Sequence, residues 1–278
     1  MPAERIAQNL AFINWTVLVG LAIGSFGAVA LTRLRTDVTR GFAAFTAVCA
    51  VAFGLLALAS DTGLPASLVG SPVQADPAWD GPRRVALGAF CLAGGAYAVA
   101  LARHRRSPLL AAAGLTAGGA TLVAGALGWS DGIADAVPLL LQLVVLAAGI
   151  GGAFAAMILG HWYLVTSRLS ERPLVLLARI LTGIVAAQLT LFAVWLATGA
   201  GPGGAAPFAI LGGEWALFVW LRLLIGLVFP LVVSWAAIQT ARTRSMESAT
   251  GLLYIDVGAI AAGTILAAGL YFGAGLLV

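Results

Sequence analysis

Long apolar stretches alternate with short polar segments along the whole chain. Each stretch reaches about 20 residues, the length that an α-helix needs to cross the hydrocarbon core of a bilayer. Eight stretches qualify, at residues 12–32, 41–60, 84–103, 108–129, 137–166, 174–198, 215–240 and 249–277. The pattern predicts an all-α, polytopic membrane protein with eight transmembrane helices. The fifth and eighth stretches exceed the minimum length, so we expect those helices to tilt or to project beyond the bilayer.

The composition agrees with this fold class. Only 9% of the 278 residues are charged, whereas soluble domains carry about 25%. All fifteen basic residues are arginine, and with abundant alanine and glycine this is typical of a GC-rich bacterial genome. We therefore expect a multi-pass protein of the bacterial cytoplasmic (inner) membrane. The arginine distribution is explained by membrane topology, so the net charge of +4 does not indicate nucleic-acid binding.

Arginines are concentrated in alternate loops. The loops after the first, third, fifth and seventh apolar stretches hold most of them, at Arg33, Arg35, Arg40, Arg103, Arg105, Arg106, Arg168, Arg172, Arg242 and Arg244. The positive-inside rule places these four loops in the cytoplasm and both chain termini outside. Several tryptophans then fall at outer helix ends and predict an aromatic belt in the headgroup zone, namely Trp15, Trp129, Trp195, Trp215 and Trp220.

The two halves of the chain share an arrangement, which predicts a parallel 4+4 internal repeat within a single membrane domain. Residues 1–132 and 133–278 each hold four apolar stretches, with the long external loop after the second. The third stretches share a spacing, Arg84 with Gly88 and Arg222 with Gly226. Gly20 and Gly24 form a GxxxG pair, and together with Gly151, Gly152 and Gly263 they predict close helix–helix contacts, since small residues let helices approach in lipid.

Ionisable and polar aromatic residues within apolar stretches are costly in a membrane and indicate functional sites. The candidates are His161, Tyr163, Arg179, Arg222, Tyr254 and Asp256. His161, Arg179, Tyr254 and Asp256 are predicted at one depth near the inner surface, and Arg222 lies in the outer third of its helix. Asp256 is a short side chain that cannot reach water, so we expect a partner for it, most simply Arg179. His161 and Tyr163 are also compatible with interfacial anchoring.

A quinone site would need hydrogen-bonding groups near one membrane surface and a residue that exchanges protons. In this hypothesis His161 and Asp256 are catalytic: His161 hydrogen-bonds or protonates the quinone, since histidine titrates near neutral pH, and Asp256 relays protons. Tyr163 or Tyr254 contacts the second carbonyl, Arg179 keeps Asp256 charged, and Arg222 is a further substrate-binding candidate. Haem b on His161 is the less favoured alternative, because the other histidine, His104, lies in a basic loop. The sequence indicates no metal site.

The leading functional hypothesis is an integral membrane subunit of a respiratory electron-transfer complex, a quinone-interacting anchor near the cytoplasmic face. The 4+4 arrangement resembles that of the membrane anchors of the polysulfide-reductase type, a likeness of architecture alone. It implies a subunit that is non-catalytic or quinone-reactive, with redox subunits, lipid and quinone as partners, and an oligomeric assembly is compatible with it. The alternatives are a small-solute or ion transporter, which intramembrane charges and repeats also fit, and a structural or assembly subunit without its own site.

Overall fold

A computed structural model describes residues 1–105, 107–166 and 169–278, and long α-helices dominate it. The helices are α1 (Pro2–Gln8), α2 (Leu10–Arg35), α3 (Arg40–Asp61), α4 (Asp80–Ala102), α5 (Pro108–Gly128), α6 (Ile133–Val165), α7 (Arg172–Thr198), α8 (Ala216–Leu223), α9 (Phe229–Arg242) and α10 (Met246–Ala274). A π-helical turn, Leu224–Val228, joins α8 to α9 as one spanning segment. Within the described residues, eight helical segments are long and apolar enough to cross a membrane, which confirms the predicted fold class of a multi-pass membrane protein.

Consecutive spanning helices pack as neighbours within each half of the chain. The first half places α2 against α3, α3 against α4 and α4 against α5, and the second half repeats this order with α6, α7, α9 and α10. The two halves meet mainly where α2 packs on α6. In α6, 72% of an apolar stretch of 18 residues is buried. The corresponding share in the other seven spans is 28–44%, so α6 lies at the centre of the bundle. The internal repeat and the division after residue 132 stay predictions.

The interface between α2 and α6 is built on glycine. A Cβ atom added to Gly24 would lie 1.8 Å from the carbonyl oxygen of Ala147, and one added to Gly151 would lie 2.3 Å from the backbone nitrogen of Ser25. The Ser25 hydroxyl donates to the Gly151 carbonyl at 3.3 Å across the same interface. The predicted close contacts at Gly24 and Gly151 are confirmed, and they bring the two backbones together with no side chain between them.

A buried ion cluster closes the first half at the end where α3 stops and α4 begins. Asp61, the last residue of α3, accepts from Nε of Arg83 at 2.6 Å and from Nε of Arg84 at 2.7 Å. Arg83 also donates to Asp80 at 2.8 Å. The side chains of Asp61 and Arg83 are 0% and 1% exposed. The carboxylate and the guanidinium are therefore withdrawn from water together, with hydrogen bonds that compensate for the lost hydration.

Two tryptophans enclose the guanidinium of Arg83. Its Cζ lies 4.9 Å from the centre of the Trp129 ring and 5.7 Å from that of Trp15. Both tryptophans are buried, and the Tyr271 hydroxyl of α10 donates to the Trp129 carbonyl at 2.6 Å. The predicted aromatic belt is wrong for these two residues, because the ion cluster and the neighbouring helices enclose them. Trp195 and Trp215 are buried as well, whereas Trp220 remains exposed.

The two chain ends lie at the same end of the bundle. Ile6 of α1 packs against Gly269 and Gly273 in the last turns of α10. The loop before α8 also reaches this end, where the Gly203 amide donates to the Gly275 carbonyl at 3.0 Å. Which side of the membrane this end occupies stays a prediction from the arginine distribution.

Candidate functional site

The six predicted site residues do not converge on one pocket. His161 and Tyr254 contact each other on the outer surface of the bundle, where Tyr254 is 48% exposed and His161 is also exposed. The Tyr254 hydroxyl lies 3.4 Å from Nδ1 of His161. These side chains belong to α10 and α6, whose close approach is set by Gly160, where an added Cβ would meet the Thr250 hydroxyl at 2.9 Å. The pair leaves two hydrogen-bonding groups exposed on the side of the bundle.

Tyr163 has a different environment from its neighbour His161. Its side chain is buried, and its hydroxyl donates to the Ser170 carbonyl in the loop that precedes α7. This bond fastens the segment before α7 to the end of α6. The local geometry gives Tyr163 an anchoring contact within the protein and does not bring it to the His161–Tyr254 pair.

Arg179 and Asp256 were expected to pair, and this prediction is wrong. Arg179 is exposed on α7, where it lines a groove at the end of the bundle where α7 begins, together with Arg35, Arg172 and Arg242. Asp256 is fully buried, and among the described residues neither of its carboxylate oxygens has a hydrogen-bond partner. Arg179 therefore lies on an exposed face of α7, whereas Asp256 lies on a buried face of α10.

The depth of Asp256 can be worked out from the contact between α10 and the π turn that joins α8 to α9. Gly226 of the π turn touches Gly263 of α10, where an added Cβ would lie 2.6 Å from the opposite Cα. Asp256 is seven residues before Gly263 in α10. Ser234 is eight residues after Gly226 on the antiparallel segment. With a rise of about 1.5 Å per residue, the two antiparallel helices place Asp256 and Ser234 within about one residue of the same depth. Ser234 accepts from the Thr182 hydroxyl of α7 at 3.0 Å.

Arg222 is the second buried ionisable residue of this half. Its side chain is 2% exposed, with Nη2 donating to Oε1 of Gln188 at 2.8 Å and Nη1 donating to the Gly226 carbonyl at 3.3 Å. Its Nε has no hydrogen-bond partner, and no carboxylate lies within salt-bridge distance in the part of the chain that the structure describes. Two neutral acceptors thus stabilise a cation that is buried without a counter-ion. Along α10, Asp256 lies about 10 Å from Gly263, the glycine of that helix that is beside Arg222.

Pro230 explains why the Gly226 carbonyl is available to Arg222. Proline has no backbone N–H and cannot donate to the carbonyl four residues earlier, which is that of Gly226. The helix widens into the π turn Leu224–Val228 just before this proline. π turns of this kind are frequent at functional sites. Arg222, Gly226, Pro230 and Ser234 recur every four residues and are all buried, so they form a stripe that faces the interior of the second half.

The side chain that accepts a hydrogen bond from Arg222 was not predicted from the sequence. Gln188 lies in the middle of α7 and connects Arg222 to α6, because its Nε2 donates to the Val145 carbonyl at 2.8 Å. A glutamine in the middle of an apolar helix is a signal that could have identified it, since lone polar groups in lipid find partners. The cluster of Arg83 and Asp61 was also missed, although both residues adjoin the same external loop.

The described residues hold no group of three or more His, Cys, Asp and Glu side chains placed to hold a metal ion. Haem ligation by His161 stays a prediction, as does its contact with quinone. The arrangement as a whole consists of two buried ionisable residues without an ionic partner in the described part of the chain, Arg222 and Asp256, inside the second half and a histidine–tyrosine pair on its surface. No known protein family, no curated protein and no solved structure matches the chain.

Proposed function

We propose that the chain is a cation-coupled transporter of a small solute in the bacterial cytoplasmic membrane, and that Asp256 binds the coupling proton or metal cation. The observation that carries this proposal is the full burial of Asp256 without a hydrogen-bond partner among the residues described. An ionised aspartate at the centre of a spanning helix costs about 2.5–3.5 kcal/mol. A bound proton or cation removes that cost. Binding and release of the cation would therefore be coupled to the conformation of the protein.

The surroundings of Asp256 support exchange of a cation. Ser234 is buried at about the depth of Asp256, and its hydroxyl accepts a hydrogen bond from that of Thr182. Hydroxyl and carboxylate oxygens are suitable ligands for a small hard cation and equally suitable partners for a carboxylic acid. The Pro230 interruption lies in the neighbouring segment, and interrupted helices of this kind form the binding sites of many transporters. Arg222 then provides the positive group that would bind an anionic part of the solute.

Chemical labelling tests whether the carboxyl group of Asp256 is protonated or bound to a cation. Dicyclohexylcarbodiimide is soluble in lipid and reacts with protonated carboxyl groups, and the adduct is located by peptide mass spectrometry. We expect labelling of Asp256 that decreases as the pH rises, or that sodium suppresses if a metal cation is the ligand. Asp61 is a matched control, because it is equally buried but bonded to Arg83 and Arg84. Equal labelling of Asp61 and Asp256, or none at Asp256, contradicts the proposal.

Transport itself is measured in proteoliposomes. A panel of small organic and inorganic anions is presented under an imposed proton or sodium gradient, with an internal pH dye and radiolabelled uptake as readouts. Gradient-driven uptake should disappear in Asp256→Asn and persist at a reduced rate in Asp256→Glu, which retains an ionisable group. Uptake that Asp256→Asn leaves unchanged would overturn the assignment of the coupling site.

A second candidate function is favoured by a separate observation, the contact between His161 and Tyr254 on the lipid-facing surface. Two hydrogen-bonding groups there are suited to a quinone carbonyl, as expected for a membrane subunit of a respiratory complex whose partner subunits carry the redox cofactors. Purification from the native membrane in mild detergent, with mass spectrometry of the bound proteins, tests this alternative. Redox subunits in stoichiometric amount, and quinone-dependent activity lost in His161→Ala but kept in Tyr163→Phe, would favour it over transport.

A further inference from the structure

A groove lined by arginines opens at the inner end of the bundle, where α2 and α9 end and α7 begins. We call it the inner arginine groove, and its volume is about 510 Å³. Its basic residues are Arg35, Arg172, Arg179 and Arg242, and Glu171 is the acidic residue of its lining. Three helices from both halves of the chain contribute, so the groove depends on the assembled bundle.

The four arginines of the groove lack ionic partners. Within residues 1–105, 107–166 and 169–278, none of their guanidinium groups has a carboxylate within 4 Å. Glu171, the one acid of the groove, lies 3.7 Å from Arg244, which is outside it. Four like charges facing one space repel each other, and a bound anion relieves that repulsion. The cation cluster of the outer end, where Asp61 and Asp80 neutralise the arginines, has no such excess.

The groove extends from the start of α7 along its first two turns, toward the apolar middle of that span. Arg172 is the first residue of α7, and Arg179 lies seven residues further, about 10 Å along the helix. Val175 and Leu176 line the wall between them. The N-terminus of α7 also points its free N–H groups and the positive end of its dipole toward this end of the bundle. A ligand that matches these features carries negative phosphate at one end and hydrocarbon at the other.

We propose that the inner arginine groove binds the phosphate headgroup of an anionic phospholipid. Phosphate is the group that arginine recognises best, through parallel hydrogen bonds from the planar guanidinium. Basic pockets between membrane helices are known to bind lipids that carry two phosphates, such as cardiolipin. The apolar wall and the depth of Arg179 favour a lipid over a soluble phosphate anion. This proposal does not rest on the transport function.

The test measures lipid retention by native mass spectrometry after lipid exchange in detergent. The full chain is titrated with cardiolipin and, separately, with phosphatidylcholine. The double variant Arg179→Gln/Arg242→Gln removes two groove charges, and we expect cardiolipin affinity to fall about 30-fold. The control variant Arg103→Gln/Arg105→Gln removes the same charge from another exposed inner loop and should stay within about twofold of the wild type. Far-UV circular dichroism verifies that both variants fold.

Each outcome of this experiment supports or overturns the lipid assignment. Selective loss in the groove variant, with phosphatidylcholine bound weakly by every form, supports it. Equal losses in the groove and control variants would mean that surface charge alone attracts the lipid, and would overturn it. Millimolar inorganic phosphate is the remaining arm: if it binds in a groove-dependent way while cardiolipin does not, the ligand is a soluble anion and the lipid assignment fails. A smaller loss of cardiolipin in Arg179→Lys/Arg242→Lys than in the glutamine variant would be further support, since the charges remain and only the parallel hydrogen bonds are lost.

Discussion

Replacement of Gly24 by alanine tests the central interface of the bundle. The added Cβ would lie 1.8 Å from the Ala147 oxygen, 2.8 Å from the Ala147 carbonyl carbon and 3.0 Å from Cα of Gly151. All three obstructing atoms are backbone, so no side-chain rotation can relieve the clash. Ordinary contact begins at 3.4 Å, so the atoms must separate by about 1.6 Å, enough to forfeit more than half of the dispersion energy between them.

The expected cost follows from this separation. Overpacking of a core typically costs about 1–3 kcal/mol, and rigid backbone on the opposite side places Gly24→Ala at the upper end of about 3 kcal/mol. That corresponds to a change of about 150-fold in the unfolding equilibrium. In lipid, where helix association depends on packing, no hydrophobic term offsets the loss. Unfolding in mixed micelles of dodecyl maltoside and sodium dodecyl sulfate, followed by tryptophan fluorescence, measures the difference.

The matched control for Gly24 is on the same helix. Gly27 faces only a Leu115 methyl group at 3.9 Å, so Gly27→Ala should be as stable as the wild type or slightly more stable, because alanine is the better helix former. Gly151→Ala should resemble Gly24→Ala, and the double variant should lose less than the sum, because both changes open one interface. Equal unfolding midpoints for Gly24→Ala and Gly27→Ala would refute the close approach of the two backbones.

Three further predictions use the same unfolding assay. Asp61→Asn leaves the buried Arg83 without its main counter-charge and should cost about 3–5 kcal/mol; a change below about 1 kcal/mol would mean that the cluster does not stabilise the bundle. Arg222→Met removes a buried charge that has no counter-ion, so stability should be unchanged or increased while solute uptake is lost; marked destabilisation would show that Arg222 has a structural role. Tyr271→Phe removes the buried hydrogen bond to the Trp129 carbonyl and should cost about 1–3 kcal/mol, and full stability would show that this bond contributes nothing.

The spanning helices were predictable because apolarity is a local property. The first predicted stretch, 12–32, is contained in α2 at Leu10–Arg35, and the second, 41–60, differs from α3 by one residue at each end. The largest misses are four residues each: α6 begins at Ile133 and not at residue 137, and α4 begins at Asp80 and not at residue 84. The charged residues there look like a loop in the sequence. The helix includes them because Asp61, at the end of α3, neutralises the charge of Arg83. This contact exists only once α3 and α4 have folded against each other.

Charge pairing was less predictable, because depth fixes only one coordinate of a residue in a bundle. Arg179 and Asp256 were matched by their distance from the inner surface. The rotation of each helix about its own axis determines which face a side chain occupies, and it depends on the packing of glycine and other small residues across the interfaces. α10 is apolar nearly all round, so its sequence alone gives no direction for Asp256. The same ambiguity applies to Trp15 and Trp129, because tryptophan suits both a lipid interface and a core beside a cation.

The glycine interface between α2 and α6 also has a consequence for the synthesis of the chain. Ser25 and Gly151, which bond across it, are 126 residues apart. At a translation rate of about 5–20 residues per second, α2 is made about 6–25 s before its main partner. During that interval the Gly20–Gly24 face of α2 has only lipid or the insertion machinery against it. The first four spanning helices must therefore enter the membrane before the contact of α2 with α6 exists. Insertion of α6 then completes the packing of the first half and starts the second half.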